Sequence, residues 1–194
     1  MQDELIGLLA VREGHFLLES GHHGELWLDL DRLFVRPGDL RPFVKELAER
    51  LAAHNIQAVC GPLTGGAFVA QMIALELDVE FFYTECVTPP DGTSLYAAAY
   101  RVPDGLRDAE RGKRVAVVDD AINAGSAVRA TLADLEAWGT RPVAIGALLV
   151  LGDRAAELAD GKQLPLECVA HLPSVIWTPA ECPLCAAGQP LESL

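Results

Sequence analysis

The chain alternates between two hydrophobic rhythms, and the alternation predicts its architecture. Over residues 37–53, Val44, Leu47, Ala48 and Leu51 recur at helical spacing behind Pro37, which predicts a helix. Leu26, Leu28 and Leu30 instead alternate with Trp27 and Asp29, the two-residue period of a strand over 25–30. Residues 15–18 predict its partner across the turn Ser20-Gly21-His22-His23-Gly24, and a short helix is expected ahead of both, over 3–12. Apolar runs at 57–60, 79–83, 114–118 and 143–151 predict buried strands. Helices are expected from the Gly61–Gly66 turn to about residue 77, and from about 126 to 138, where Val128, Leu132 and Leu135 share a face. Residues 85–105 hold Pro89-Pro90-Asp91-Gly92, a strong turn signal, and are expected to form a mobile hairpin. Strand–loop–helix units repeated in this way build an α/β fold: a mainly parallel sheet, here expected to have five strands, flanked by helices within one domain spanning 1–194.

Composition narrows the partners. Of 194 residues, 51% are hydrophobic and 22% charged, which suits a globular chain. Net charge is −13, and the only lysines are Lys45, Lys113 and Lys162. No basic face exists to displace counterions, so nucleic acid is excluded as a partner. One small phosphorylated ligand stays allowed, because a helix N-terminus holds an anion whatever the global charge. No apolar run reaches the 18 or so residues of a membrane span, so no membrane partner is expected. The acidic start Met1-Gln2-Asp3-Glu4 lacks the basic region of a secretory signal, and a cytoplasmic address follows as the expectation. Five scattered cysteines in such a chain read as reduced thiols.

The segment from Val115 to Ala127 has the parts of an anion site. Four apolar residues, Val115 to Val118, make a buried strand, and Asp119 and Asp120 stand where it is expected to end. Asn123, Ala124 and Gly125 are small enough for backbone N–H groups to wrap an anion, and Ser126 opens a helix whose N-terminus adds partial positive charge. The same residues also read as a solvated strand end and an ordinary turn. Cys182-Pro-Leu-Cys185 has zinc-knuckle spacing and makes Cys182 and Cys185 candidate zinc ligands; Cys168 and His171 complete a set of four if the tail folds back on them. The bland alternative is a proline-stiffened tail with buried thiols. His22 and His23 are expected to point apart and reach solvent. Gly61–Gly66 lacks the Gly-Lys-Ser/Thr ending of a Walker loop, and no Gly-x-Gly-x-x-Gly follows a strand, so ATP hydrolysis and dinucleotide chemistry fit poorly.

Asp-Asp-Ala-Ile-Asn-Ala-Gly-Ser-Ala, residues 119–127, resembles the phosphoribosyl pyrophosphate (PRPP) signature of type I phosphoribosyltransferases, and is most similar to that of orotate phosphoribosyltransferases. The resemblance implies that Asp119 and Asp120 take the ribose hydroxyls, while Asn123, Ala124, Gly125, Ser126 and Ala127 take the 5-phosphate. Asn123 stands where threonine is usual. Gly14 to His23 resembles the family's hood segment and brings Phe16 toward the base. Leu63, Thr64, Gly65 and Gly66 fall at its pyrophosphate loop, and Arg154 at an arginine that meets the orotate carboxylate. The tail Trp177–Cys185 and Gly188–Leu191 resembles the C-terminus of some bacterial members. With the resemblance come a phosphoribosyltransferase-type fold, a hood from about 13–35 and 164–194 over a core of about 37–160, Mg²⁺ accompanying PRPP, a nucleobase substrate and a homodimer.

The chain also departs from the family. Glu19 occupies the hood position of a base, the pyrophosphate loop carries no lysine, and the arm over 85–105 offers Arg101, with Arg107 just beyond. Cationic groups neutralise the leaving pyrophosphate, each contributing about 1.5–3 kcal/mol as a charged hydrogen bond. Two readings stay open. One is a working transferase with Asp119, Asp120 and Arg101 as its catalytic residues and a different acceptor. The other is a weakened relative that binds PRPP or a nucleoside monophosphate as a sensor or regulatory subunit.

Overall fold

The central strands are apolar without interruption because they are buried on both faces. In the computed structural model, which describes residues 1–88 and 94–192, a short helix α1 (Gln2–Ile6) leads into a hairpin of β1 (Ala10–Leu17) and β2 (His23–Asp29). Helix α2 (Pro37–Ala52), strand β3 (Ala58–Pro62), helix α3 (Gly65–Leu77) and strand β4 (Glu80–Thr88) follow. Next come β5 (Ala99–Arg101), a short α4 (Arg107–Glu110), β6 (Arg114–Ile122), α5 (Ser126–Ala137), β7 (Arg141–Leu151), α6 (Arg154–Lys162) and β8 (Leu166–Leu172). The chain closes through β9 (Ile176–Trp177) and α7 (Pro183–Ala186).

The large sheet has six strands in the order β5-β4-β3-β6-β7-β8. Five are parallel; β5 adds an antiparallel strand at the edge. The expected five-stranded count therefore holds for the parallel part, and the arm supplies the sixth. Alternate residues of β6 serve two cores. Ala116 and Val118 join Leu47, Leu51 and Val69 beneath α2 and α3. Val115 and Val117 join Val128, Leu132 and Leu158 beneath α5 and α6. That division is the physical reason for a run with no polar alternation.

A second sheet, β1-β2-β9, is antiparallel and forms the hood. Its ladder slips between Glu13 and Phe16, so Gly14 and His15 form a bulge.

Four boundaries differ from expectation. The first helix ends at Ile6 because Ala10 and Arg12 pair with Asp29 and Trp27 across the hairpin. β6 continues past Val118 to Ile122, since β7 is long enough to pair Ala121 with Leu149 and Ile122 with Val150. β8 pairs with β7 in the large sheet, so the hood's second contribution begins after Leu172. β4 runs on to Thr88 because Glu85 and Cys86 pair with Arg101 and Tyr100. The Pro89–Gly92 turn lies outside the described residues. Among those described, no helix is long and apolar enough to cross a membrane.

Candidate functional site

Starting from β3, the chain steps to β4 on one side, then returns to β6 and proceeds to β7 and β8 on the other. The order reverses between β3 and β6, and in open α/β sheets ligands bind at the carboxyl ends of the strands at such a reversal. The Leu63–Gly66 loop leaves β3 there, and the acid pair and its turn leave β6 beside it.

Asp119 and Asp120 lie within the last turnings of β6, not beyond it, and are half-buried. Asp119 Oδ1 accepts the Asp120 N–H at 3.0 Å, and Asp120 Oδ1 accepts the Ala121 N–H at 2.8 Å. Among the described residues neither carboxylate has an ion-pair partner. Burial, then the Asp120 charge, pushes the Asp119 carboxyl well above the ordinary carboxylate range, and Glu19 adds to the effect. Burial raises Asp120 as well. Two acids held close without a counter-charge are costly for the empty protein and are ready for a cation or hydroxyl donors.

The neighbouring loop explains its own glycines. A side chain at Gly65 would strike the Asp120 carboxylate, and one at Gly66 would meet Asp119 Oδ1 at 2.6 Å. Gly61 is pressed against the Gly66 carbonyl. The Leu63–Thr64 peptide is cis, and both residues are exposed. This loop therefore packs backbone-first against the acid pair.

Beyond β6, Gly125 takes the left-handed conformation, φ +74°, and starts α5 with no side-chain cap. The first amides of α5 are thus left for a ligand. Asn123, Ala124, Gly125, Ser126 and Ala127 line a cleft of about 220 Å³ together with Asp119. The hood closes it from above with Leu18, Glu19, Ser20 and the strand residues Leu26, Trp27 and Leu28. The arm clasps the hood tip: the Tyr96 N–H donates to the Ser20 carbonyl at 2.9 Å, and the Tyr100 hydroxyl donates to Glu19 at 2.9 Å. Burial, then Glu19, pushes the Tyr100 hydroxyl upward, so it stays a donor.

The phosphate turn and Asp119 converge as the sequence suggests; other residues do not. Phe16 is fully buried on β1 and tilts against Trp27 at a ring distance of 6.2 Å, so Trp27 holds the wall position expected of Phe16. Arg154 is exposed at the start of α6 and pairs with Glu157 at 3.0 Å. Arg101 is exposed on β5, whereas Arg107 is bound to Asp104 and stacks over Trp138. Neither Arg101 nor Arg154 lines the cleft among the described residues. His22 and His23 point apart as expected, yet both are buried. His22 meets Ser20 Oγ at 3.0 Å and His23 meets His15 at 3.0 Å. Cys168 and His171 sit on β8, away from Cys182 and Cys185, and His171 Nε2 meets the Gly152 carbonyl instead.

Residues 40–185 match the phosphoribosyl transferase domain family. The chain belongs to this family. An orotate phosphoribosyltransferase of Caldanaerobacter subterraneus is 29% identical over 95% of this chain and 90% of its own. One from Thermotoga maritima is 30% identical over 94% and 90%. Among solved structures, orotate phosphoribosyltransferase from Aeropyrum pernix superposes with a TM-score of 0.64 at 27% identity, covering 84% of this chain and 88% of that one. Adenine phosphoribosyltransferase from Trypanosoma brucei, in complex with AMP, pyrophosphate and ribose 5-phosphate, reaches 0.67 at 15% identity over 87% and 78%, which speaks for the fold. The sheet, its flanking helices and the hood thus form a phosphoribosyltransferase-type fold.

Proposed function

We propose that this phosphoribosyltransferase-family protein binds PRPP across the β3 and β6 strand ends and transfers its ribose 5-phosphate to a nucleobase, releasing pyrophosphate. One observation carries the reading: an acid pair without a counter-charge among the described residues is followed at once by an uncapped helix N-terminus, both at the sheet's reversal point. The α5 amides, with Ser126, hold the 5-phosphate, and Asp119 and Asp120 accept from the ribose hydroxyls. The cleft holds the sugar and base, while the pyrophosphate lies over the Gly65 loop. In the transfer a ring nitrogen of the base forms the new bond to C1 of the ribose as the pyrophosphate oxygen departs with its electron pair, and the proton that the neutral base loses passes to the departing pyrophosphate or to solvent.

Mg²⁺ fits these residues, because hard carboxylate oxygens raised by burial and mutual repulsion are relieved by a divalent cation. When bound with PRPP it supplies neutralising charge to the pyrophosphate. Trp27 and the leucines beside it exclude water from the reacting carbon. Glu19 sets a carboxylate at the cleft, which repels an anionic base and favours one that offers an N–H. We also propose a homodimer, with Arg101 on the exposed arm as the cation that reaches pyrophosphate.

Purified protein incubated with Mg²⁺, PRPP and a panel of bases tests the reading through pyrophosphate release. Turnover is expected with a neutral nucleobase, ahead of orotate. Among the described residues no Lys or Arg lines the cleft, which supports a second reading, a nucleotide-holding sensor with weakened transfer. It predicts tight monophosphate binding with no turnover on any base.

A further inference from the structure

The hood holds a second cluster that the phosphoribosyl chemistry does not use. His15, His23, Cys182 and Cys185 each present a ligand atom, and all of these atoms lie within 4.8 Å of one another. We propose that they form a closed structural zinc site that staples the C-terminal tail to the hood hairpin.

The geometry is that of a tetrahedron's edges. With arms of about 2.0–2.1 Å to nitrogen and about 2.3 Å to sulfur, edges of about 3.3 Å between nitrogens and about 3.5 Å between nitrogen and sulfur are required. His15 Nε2 stands 3.0 Å from His23 Nδ1. Cys182 Sγ and Cys185 Sγ lie 3.5 Å and 3.7 Å from His15 Nε2, and Cys185 Sγ lies 3.2 Å from His23 Nδ1. The chain reaches this arrangement by three local devices. The β1 bulge turns His15 inward, where it is 1% exposed. His23 starts β2 and is held between β1 and β9. Pro183 opens α7, whose first turn sets Cys182 and Cys185 three residues apart on one face.

Hydrogen bonding fixes the protons in the way a metal needs. His15 Nδ1 lies 2.8 Å from the Gln189 carbonyl, which can only accept. Nδ1 therefore carries the hydrogen, and in the neutral ring Nε2 directs a bare lone pair at the two sulfurs and His23. A backbone carbonyl behind the far nitrogen is the usual support of a ligating histidine. Two thiolates balance a divalent charge, two neutral imidazoles add none, and an S₂N₂ tetrahedron selects zinc. Four protein ligands leave no open position, so the ion is structural. Its place explains the tail's path: Glu192 N–H donates to the His15 carbonyl at 2.8 Å, and Arg12 pairs with Glu192 at 3.1 Å.

The test is metal analysis of the full chain, purified without chelator or histidine tag and with thiols reduced. One zinc per chain is expected, and cobalt substitution should give thiolate-to-metal charge transfer with a tetrahedral d–d spectrum. Cys182→Ser/Cys185→Ser should lower metal content by about tenfold or more. Cys185→Ser alone, at an exposed position, should do the same while far-ultraviolet circular dichroism stays native. A reduced wild-type chain that takes up neither zinc nor cobalt overturns the proposal. So does a Cys182–Cys185 disulfide in place of metal, or a double variant that keeps its zinc.

Discussion

The turn after β6 and the hood above it face the same cleft, yet they are built by opposite means. The turn uses backbone: a left-handed glycine, uncapped amides and two acids whose burial is opposed by no cation among the described residues. The hood uses side chains: a bulged histidine, a second histidine and two thiols drawn from a segment about 160 residues away in sequence. One region stores unfavourable charge for a ligand to relieve. The other is satisfied within itself and keeps the roof in place. Ligand recognition and architecture are therefore separable, and variants in each region should fail differently.

The largest effect is expected at the turn. Gly125→Val puts a β-branched residue at φ +74° and brings its Cβ to 3.2 Å from Leu158. Strain there is on the order of 1–3 kcal/mol, and it displaces the amides that meet the phosphate. Calorimetric titration should find PRPP binding weakened about 100-fold, with circular dichroism near native. In the hood, Cys182→Ser/Cys185→Ser should lower Tm by several degrees, at about 2–4 °C per kcal/mol for a chain of this size. Inorganic phosphate affinity should stay within about threefold, since the ligands lie outside the turn. The smallest effect belongs to the clasp between them. Tyr100→Phe removes one hydrogen bond to the Glu19 carboxylate, about 1.5 kcal/mol, and should raise KM for the base more than it lowers kcat.

The contrast also marks what could be read in the sequence. The β6 turn was legible because its strand, acids, glycine and helix start are contiguous from Val115 to Ala127. The zinc partners were not, since nothing local joins His15 and His23 to Cys182, and Cys168 and His171 lay temptingly nearer in sequence. Trp27 falls on the polar side of an alternating strand, but the hairpin lies over the cleft and Trp27 lines it. The length of β6 depended on the long partner β7, which no pattern within β6 reveals. Local chemistry was readable; pairing across the fold was not.

Asp119 and Asp120 are held at a cost that a ligand relieves. With the folded carboxyl raised above its unfolded value, the native state binds the extra proton. Its contribution to stability is then present below the unfolded pKa and lost as pH rises through the raised one. Asp119→Asn removes that loss and one contact to the ribose. Paired thermal-melt and Mg²⁺–PRPP titrations at pH 7 test this directly. The expected outcome is a Tm higher by a few degrees, about 2–4 °C per kcal/mol, with affinity lower by about tenfold or more. A variant that melts earlier and binds PRPP as tightly as the wild type contradicts the account.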